Sequence, residues 1–158
     1  MFIRNATAGD IPGILTLLHE VLELHAKIRP DIFISGTTKY TKEELEEMLK
    51  DKSKPVYVAV DEKENVIGYT FCQLKEPAFT NTMHPNKEIF IDDFCIDENT
   101  RGNHVGQQLF EYVKKEAEKY GCFAVTLNVW AGNEGAEKFY EKMGMKTRER
   151  MLEYILQP

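Results

Sequence analysis

Ile89-Phe90-Ile91-Asp92-Asp93-Phe94-Cys95-Ile96 runs into Asp97-Glu98-Asn99-Thr100 and then into Arg101-Gly102-Asn103-His104-Val105-Gly106-Gln107-Gln108. Extended back to Glu88, the first segment is rich in β-branched and aromatic residues and reads as a strand, Glu88 to Ile96. The second is a short polar turn. The third opens a helix whose apolar residues Val105, Leu109, Val113 and Ala117 share one face and which Gly121 stops. A helix start carries unpaired N–H groups and a partial positive charge, so it suits a phosphate. The glycines at 102 and 106 let a ligand approach the backbone. A strand–turn–helix corner whose glycines merely permit the turn would read the same way from this segment alone.

Outward from this corner the pattern stays mixed. Phe2 to Arg4 is a short first strand. Thr7, with an acid three positions later at Asp10, opens a helix marked by Ile11, Ile14, Leu15, Leu18 and Leu22 that should end near Pro30. Asp31 to Lys39 reads as a loop and Lys42 to Lys50 as a short helix. Val56 to Val60 and Val66 to Leu74 flank the polar turn Asp61-Glu62-Lys63-Glu64-Asn65 and read as a hairpin. Phe123 to Val129 is a strand, Glu134 to Met143 a helix stopped by Gly144, and Met151 to Leu156 a last strand. The expected fold class is α/β, helices packed on a sheet, in a single domain spanning 1–158.

The chain has 158 residues, the size of one domain, with 42% hydrophobic and 29% charged residues, a globular composition. A net charge of -6 argues against a general nucleic-acid binder. No apolar run reaches the roughly 18 residues of a membrane-spanning helix, and the N-terminus lacks the apolar stretch of a secretion signal. A cytoplasmic protein without membrane or nucleic-acid partners is expected, and Cys72, Cys95 and Cys122 read as buried thiols. The sequon Asn5-Ala6-Thr7 is then a chance match. After His19-Glu20 the second histidine of a zinc-protease motif is missing: Glu23 stands there, and His25 falls two residues too late. Histidines and cysteines never fall at ligand spacing, so no metal is expected. There is no P-loop and no Gly-x-Gly-x-x-Gly turn after the first strand.

A second strand–turn–helix follows: Leu127-Asn128-Val129-Trp130-Ala131-Gly132-Asn133-Glu134-Gly135-Ala136-Glu137-Lys138-Phe139-Tyr140-Glu141-Lys142-Met143-Gly144-Met145. Together the two segments resemble the GCN5-related N-acetyltransferase (GNAT) superfamily. That family carries Arg/Gln-x-x-Gly-x-Gly/Ala at the helix after its fourth strand, and Asn-x-x-Ala-x-x-Phe/Leu-Tyr-x-x-x-Gly-Phe in its last helix. Here the first motif runs from Arg101 to Gly106, with His104 at the usual inner glycine. The second is Asn133, Ala136, Phe139, Tyr140 and Gly144, with Met145 for the usual Phe. The order of elements matches over almost the whole chain.

The resemblance implies a mixed, mostly antiparallel central sheet, splayed between strands 4 and 5 and flanked by about four helices. It implies an enzyme, an acyltransferase moving acetyl from acetyl-CoA to a primary amine by direct attack in a ternary complex. The alternative is an acyl-CoA-binding sensor or interaction module on the same fold. Under the resemblance, the pyrophosphate lies on the amides of Gly102, Asn103, His104, Val105, Gly106 and Gln107, beside Arg101. His104 donates its N–H provided its backbone stays right-handed helical. The pantetheine arm runs beside Phe94, Cys95 and Ile96. Asn133 holds the arm, and Tyr140 sits near the sulfur and protonates the departing thiolate.

The amine must lose a proton, and Asp92, with Glu88 next, is favoured to take it. Asp92 and Asp93 should point to opposite faces of the strand unless a bulge intervenes. The acceptor is a small-molecule, peptide or protein amine. The resemblance implies that the segments 29–40, 76–86 and 147–154 bind it, with Phe33, Tyr40, Phe79 and Trp130 as wall residues, and a homodimer is left open.

Overall fold

Val56–Val60 forms strand β2, and all five of its residues are buried. A strand covered on both faces belongs at the centre of a layered structure, and the sheet is built outward from it. The computed structural model describes residues 1–157. Residues 1–128 make one compact unit and those from 129 a second.

In the first unit, β1 (Phe2–Asn5) pairs antiparallel with β2. β2 turns through Asp61–Asn65 into β3 (Val66–Lys75), also antiparallel. Asp61 shapes that turn: its carboxylate accepts from the amides of Lys63 at 2.8 Å and Asn65 at 2.9 Å. β3 pairs antiparallel with β4 (Glu88–Ile96), and β4 pairs parallel with β5 (Ala124–Leu127). The order is β1-β2-β3-β4-β5.

Helix α1 (Ile11–Ile28) and the shorter α2 (Lys42–Met48) cover one face. Ile11, Ile14, Leu17, Leu18 and Leu45 join Val56, Val58, Val60, Tyr69, Phe71 and Cys95 in one buried cluster. Helix α3 (Val105–Lys119) packs on β3, β4 and β5. α1 comes so close to β3 that a Cβ on Gly13 would stand 2.9 Å from Val66 Cβ, so only glycine fits there.

The start of α1 is tied to β1. Asp10 is 5% exposed. It pairs with both terminal nitrogens of Arg4, at 2.7 and 3.0 Å, and accepts from the Thr7 amide at 2.7 Å. Thr7 and Asp10 do begin a helical segment, through a 3₁₀ turn at Ala8–Asp10. α1 ends one residue short of Arg29-Pro30.

In the second unit, α4 (Glu134–Lys142) opens on Asn133, whose side-chain oxygen accepts from the Ala136 amide at 3.3 Å. It closes at Gly144, φ +89°, where Gly144 N–H reaches Glu141 O and Met145 N–H reaches Tyr140 O. These are the two bonds of a Schellman stop. α3 ends the same way at Gly121.

The expected last strand is corrected: Met151 to Leu156 forms no strand, and Met151, Leu152, Tyr154 and Leu156 are exposed. β-propensity describes fitness for a pleated, half-covered surface, and without a ladder to join the segment has nothing to make it a strand. Three other elements are shorter than expected, α2 ending at Met48, α4 at Lys142, and β5 spanning only Ala124–Leu127.

The Asp10 carboxyl lies below the usual carboxylate range. Burial alone would raise it, but Arg4 and Thr7 together more than offset that. A depressed folded value stabilises above the unfolded pKa near 4, and the contribution is lost as pH falls through the folded value. Asp10→Asn should cost about 1–3 kcal/mol at pH 7 in urea unfolding, with Arg4 left unpaired. The gap to the parent should narrow on acidification below about pH 4.

Candidate active site

β4 carries an irregularity where the site residues lie. Phe71 faces Asp93 and Cys72 faces Ile91, so Asp92 is an extra residue in the β3–β4 ladder. Without a bulge, adjacent residues would point to opposite faces. Here Asp93 lies opposite Phe71, on the side of α1 and α2, and Asp92 turns to the same side. Its Oδ2 accepts from the Tyr40 hydroxyl at 2.6 Å and pairs with Lys39 Nζ at 3.1 Å. Lys39 Nζ also donates to the Asp92 backbone oxygen at 3.2 Å.

The loop bearing Lys39 and Tyr40 is pinned to α1. Glu23 accepts from Ser35 Oγ at 2.7 Å and from the Gly36 amide at 2.6 Å. The φ of +85° at Gly36 is what glycine supplies to that turn. Tyr40 sets its ring edge-on to Phe71, centroids 5.5 Å apart.

Asp93 is the electrostatically unusual acid. Burial pushes its carboxyl up to about 6, and Asp92 adds to the rise. Lys39, the Phe94 amide and Tyr69 pull the other way. Asp93 Oδ1 accepts from the Phe94 amide at 2.9 Å. Glu88 stands about 13 Å back along the strand, where its Oε2 accepts from Thr126 Oγ1 at 3.3 Å. Cys72 and Cys95 are buried, and burial pushes the Cys72 thiol up to about 12, which disfavours the thiolate a nucleophile needs. Cys122, expected to be buried, is only partly so.

β5 pairs with β4 only over Glu88–Ile91, while β4 runs on to Ile96. The edge of β4 from Asp92 to Ile96, with Phe94, Cys95 and Ile96 on it, therefore extends beyond the end of β5. Past it, Asp97 accepts from the Asn99 amide at 2.9 Å in a 3₁₀ turn at Glu98–Thr100. Gly102 then takes φ +87° and His104 φ +60°, ψ +17°.

The expectation that His104 keeps a right-handed backbone is corrected: it is left-handed. The position demands what a glycine gives freely, and histidine is among the few other residues found there. His104 makes no side-chain capping bond, and the first turn of α3 holds no acid. The starts of α2 and α4, by contrast, carry Glu43 and Glu44, and Glu134 and Glu137. The amides of Val105, Gly106 and Gln107 have no intrahelical acceptor, and the electrostatics of that turn favour an anion. Arg101 is exposed, 3.9 Å from Glu98. Asn103 is also exposed, and a Cβ on Gly102 would meet nothing within 4 Å.

A family profile described as Acetyltransferase (GNAT) family matches residues 18–145. The chain belongs to the GNAT family. The BH1408 protein of Bacillus halodurans, solved as a tetramutant, superimposes with a TM-score of 0.93 at 31% identity, covering 99% of this chain and 100% of that one. A Bacillus subtilis protein named uncharacterized N-acetyltransferase YdgE is 35% identical over 66 residues, 42% of each chain, so the match spans less than half of that relative. The aminoglycoside N-acetyltransferase AAC(6')-Iy, solved with CoA, shares the fold, with a TM-score of 0.72 at 15% identity over 99% of this chain and 100% of that one. Among the described residues no helix is long and apolar enough to cross a membrane, and no group of His, Cys, Asp or Glu is gathered to hold a metal.

In this GNAT chain Asn133 spends its side-chain oxygen on capping α4. Tyr140, with its ring 5.2 Å from Phe139, supplies the carbonyl of the helix stop. Lys39 and Tyr69 escaped the sequence reading. Lys39 lies 53 residues from Asp92, and no spacing rule reaches that far.

A carboxyl whose folded value is raised destabilises the fold once it ionises. Asp93→Asn should therefore be more stable than the parent at pH 8, by about 1–3 kcal/mol in urea unfolding. The gain should fade as pH drops from 6 to 4, where the parent carboxyl is neutral as well. An equal gain at both pH values would assign the effect to packing.

Proposed function

We propose that this protein is an acetyl-CoA-dependent N-acetyltransferase that acetylates a primary amine by direct attack in a ternary complex, its two units serving one activity. The observation that carries the reading is on β4: a bulge bearing two acids, a strand edge extending past β5, and a helix start stripped of acids follow one another within a few residues. Acetyl-CoA, as co-substrate, supplies the activated acetyl thioester.

In this reading the residues 102–107 offer backbone N–H groups to the pyrophosphate, with Arg101 alongside. Gly102 and His104 both have left-handed backbones, a conformation that recurs in anion-binding nests. Phe94, Cys95 and Ile96 offer backbone groups to the pantetheine arm as an added strand would use them. Asn133 keeps its side-chain amide N–H groups for the same arm. Asp93 takes the proton from the attacking amine. A carboxyl near 6 is mostly ionised at pH 7 yet still basic enough to accept. Asp92, already holding Tyr40 and Lys39, positions the amine, and Glu88 lies further along the strand. Tyr140 donates a proton to the departing thiolate. The products are the N-acetyl amine and coenzyme A.

Acetyl-CoA should raise the thermal midpoint, and ATP at matched concentration should raise it far less. Gly106→Val should reduce that shift while the unliganded midpoint stays within a few degrees of the parent. Equal shifts by ATP and acetyl-CoA would overturn the assignment of the cofactor.

Tyr140→Phe removes one hydroxyl and keeps the ring. With an acceptor found in a thiol-release screen of amines, turnover should drop by about 10²–10⁴-fold and coenzyme affinity should hardly change. Unchanged turnover with a chemistry-limited step would leave Tyr140 as packing.

A further inference from the structure

The acid pair on β4 already holds an alkylammonium, and it belongs to the protein. Lys39 Nζ sits 3.1 Å from Asp92 Oδ2 and 3.2 Å from the Asp92 backbone oxygen. It also lies 5.6 Å from the Tyr40 ring centroid. A carboxylate, a carbonyl and an aromatic face together make a seat for a primary ammonium.

The two donors on Asp92 differ in how firmly they are held. Tyr40 is half-buried against Phe71. Lys39 is a long, flexible side chain, 39% exposed, reaching in from a loop over a carboxylate that is only 17% exposed. A half-exposed ion pair of this kind is easily exchanged for another cation. Beneath it, the fully buried Tyr69 hydroxyl lies close to the Asp93 carboxyl and favours its ionised form, against the rise that burial imposes.

We propose that Lys39 is a built-in stand-in for the acceptor: it occupies the ammonium seat on Asp92, and the true acceptor is an unbranched primary alkylammonium, such as a lysine side chain or a terminal diamine, that displaces it. This rests on the transferase reading for the word acceptor, but the seat can be tested without turnover. An incoming ammonium replaces the Lys39 charge one for one. It arrives beside Asp93, which takes its proton before attack, and the Lys39 side chain swings into solvent from its exposed loop. Lys39 thereby competes with the acceptor, and the measured affinity is the intrinsic one multiplied by the fraction of molecules with the seat open.

Calorimetric titration of the coenzyme-free protein with 1,4-diaminobutane tests the seat. Lys39→Met should bind the diamine about 2- to 5-fold more tightly than the parent, the size of a half-exposed ion pair. Asp92→Asn, checked for a native circular dichroism spectrum, should bind it at least about tenfold more weakly, as expected when one partner of a charge pair is lost. Unchanged or weaker diamine binding by Lys39→Met overturns the proposal. So does glutarate, a dianion of similar length, binding the parent but not Lys39→Met, because Lys39 would then anchor an acidic acceptor. The two readings fail separately. Diamine binding that follows this pattern without any acetyl transfer would sink the transferase reading and keep the seat. Brisk transfer to amines with a KM indifferent to Lys39→Met would sink the seat and keep the transferase.

Discussion

The extra residue at Asp92 is the constraint on which the site turns. A regular β4 would send Asp92 and Asp93 to opposite faces, one under α1 and α2 and the other toward α3. The bulge instead puts both carboxyls within the influence of one ammonium, Lys39. They end in different environments. Asp92 is occupied by a phenol and an ammonium, whereas Asp93 has burial and a neighbouring acid against it and a carboxyl raised to about 6. Two adjacent acids held in unlike surroundings can divide the holding of a cation from the taking of its proton.

The same strand leads into the start of α3. β4 outruns β5 at Ile91 and passes through the Asp97 turn into two left-handed residues and α3. The conformational cost of His104 there is about 1–2 kcal/mol, which the surrounding fold must carry. Backbone held in a sparsely populated region commonly marks a place where amides are aimed at something. The absence of acids in the first turn of α3 is consistent with that use, since α2 and α4 both place glutamates where they complement the helix dipole.

Some motif residues are explained by local structure before any chemistry is invoked. Asn133 caps α4, and Tyr140, Gly144 and Met145 form its C-terminal stop. Spacing that reads as an active-site signature is also the spacing that starts and ends a short helix, so Tyr140 needs its hydroxyl tested apart from its backbone.

The amino-acid sequence by itself determined the elements and the family: helical periodicity for α1 and α3, the polar turn between β2 and β3, the glycine stops at Gly121 and Gly144, and two motifs in order. These are legible because propensity, periodicity and capping act within a few residues of chain. The run from Met151 to Leu156 misled because strand-like composition is not a strand until another backbone pairs with it. Tertiary structure alone decided which acid carries the raised pKa, that His104 is left-handed, and that Lys39 and Tyr40 close on Asp92. A bulge is a register difference between two strands, and desolvation depends on everything packed around a group. A contact across 53 residues of chain exists only once α1, its loop and β4 have folded onto one another.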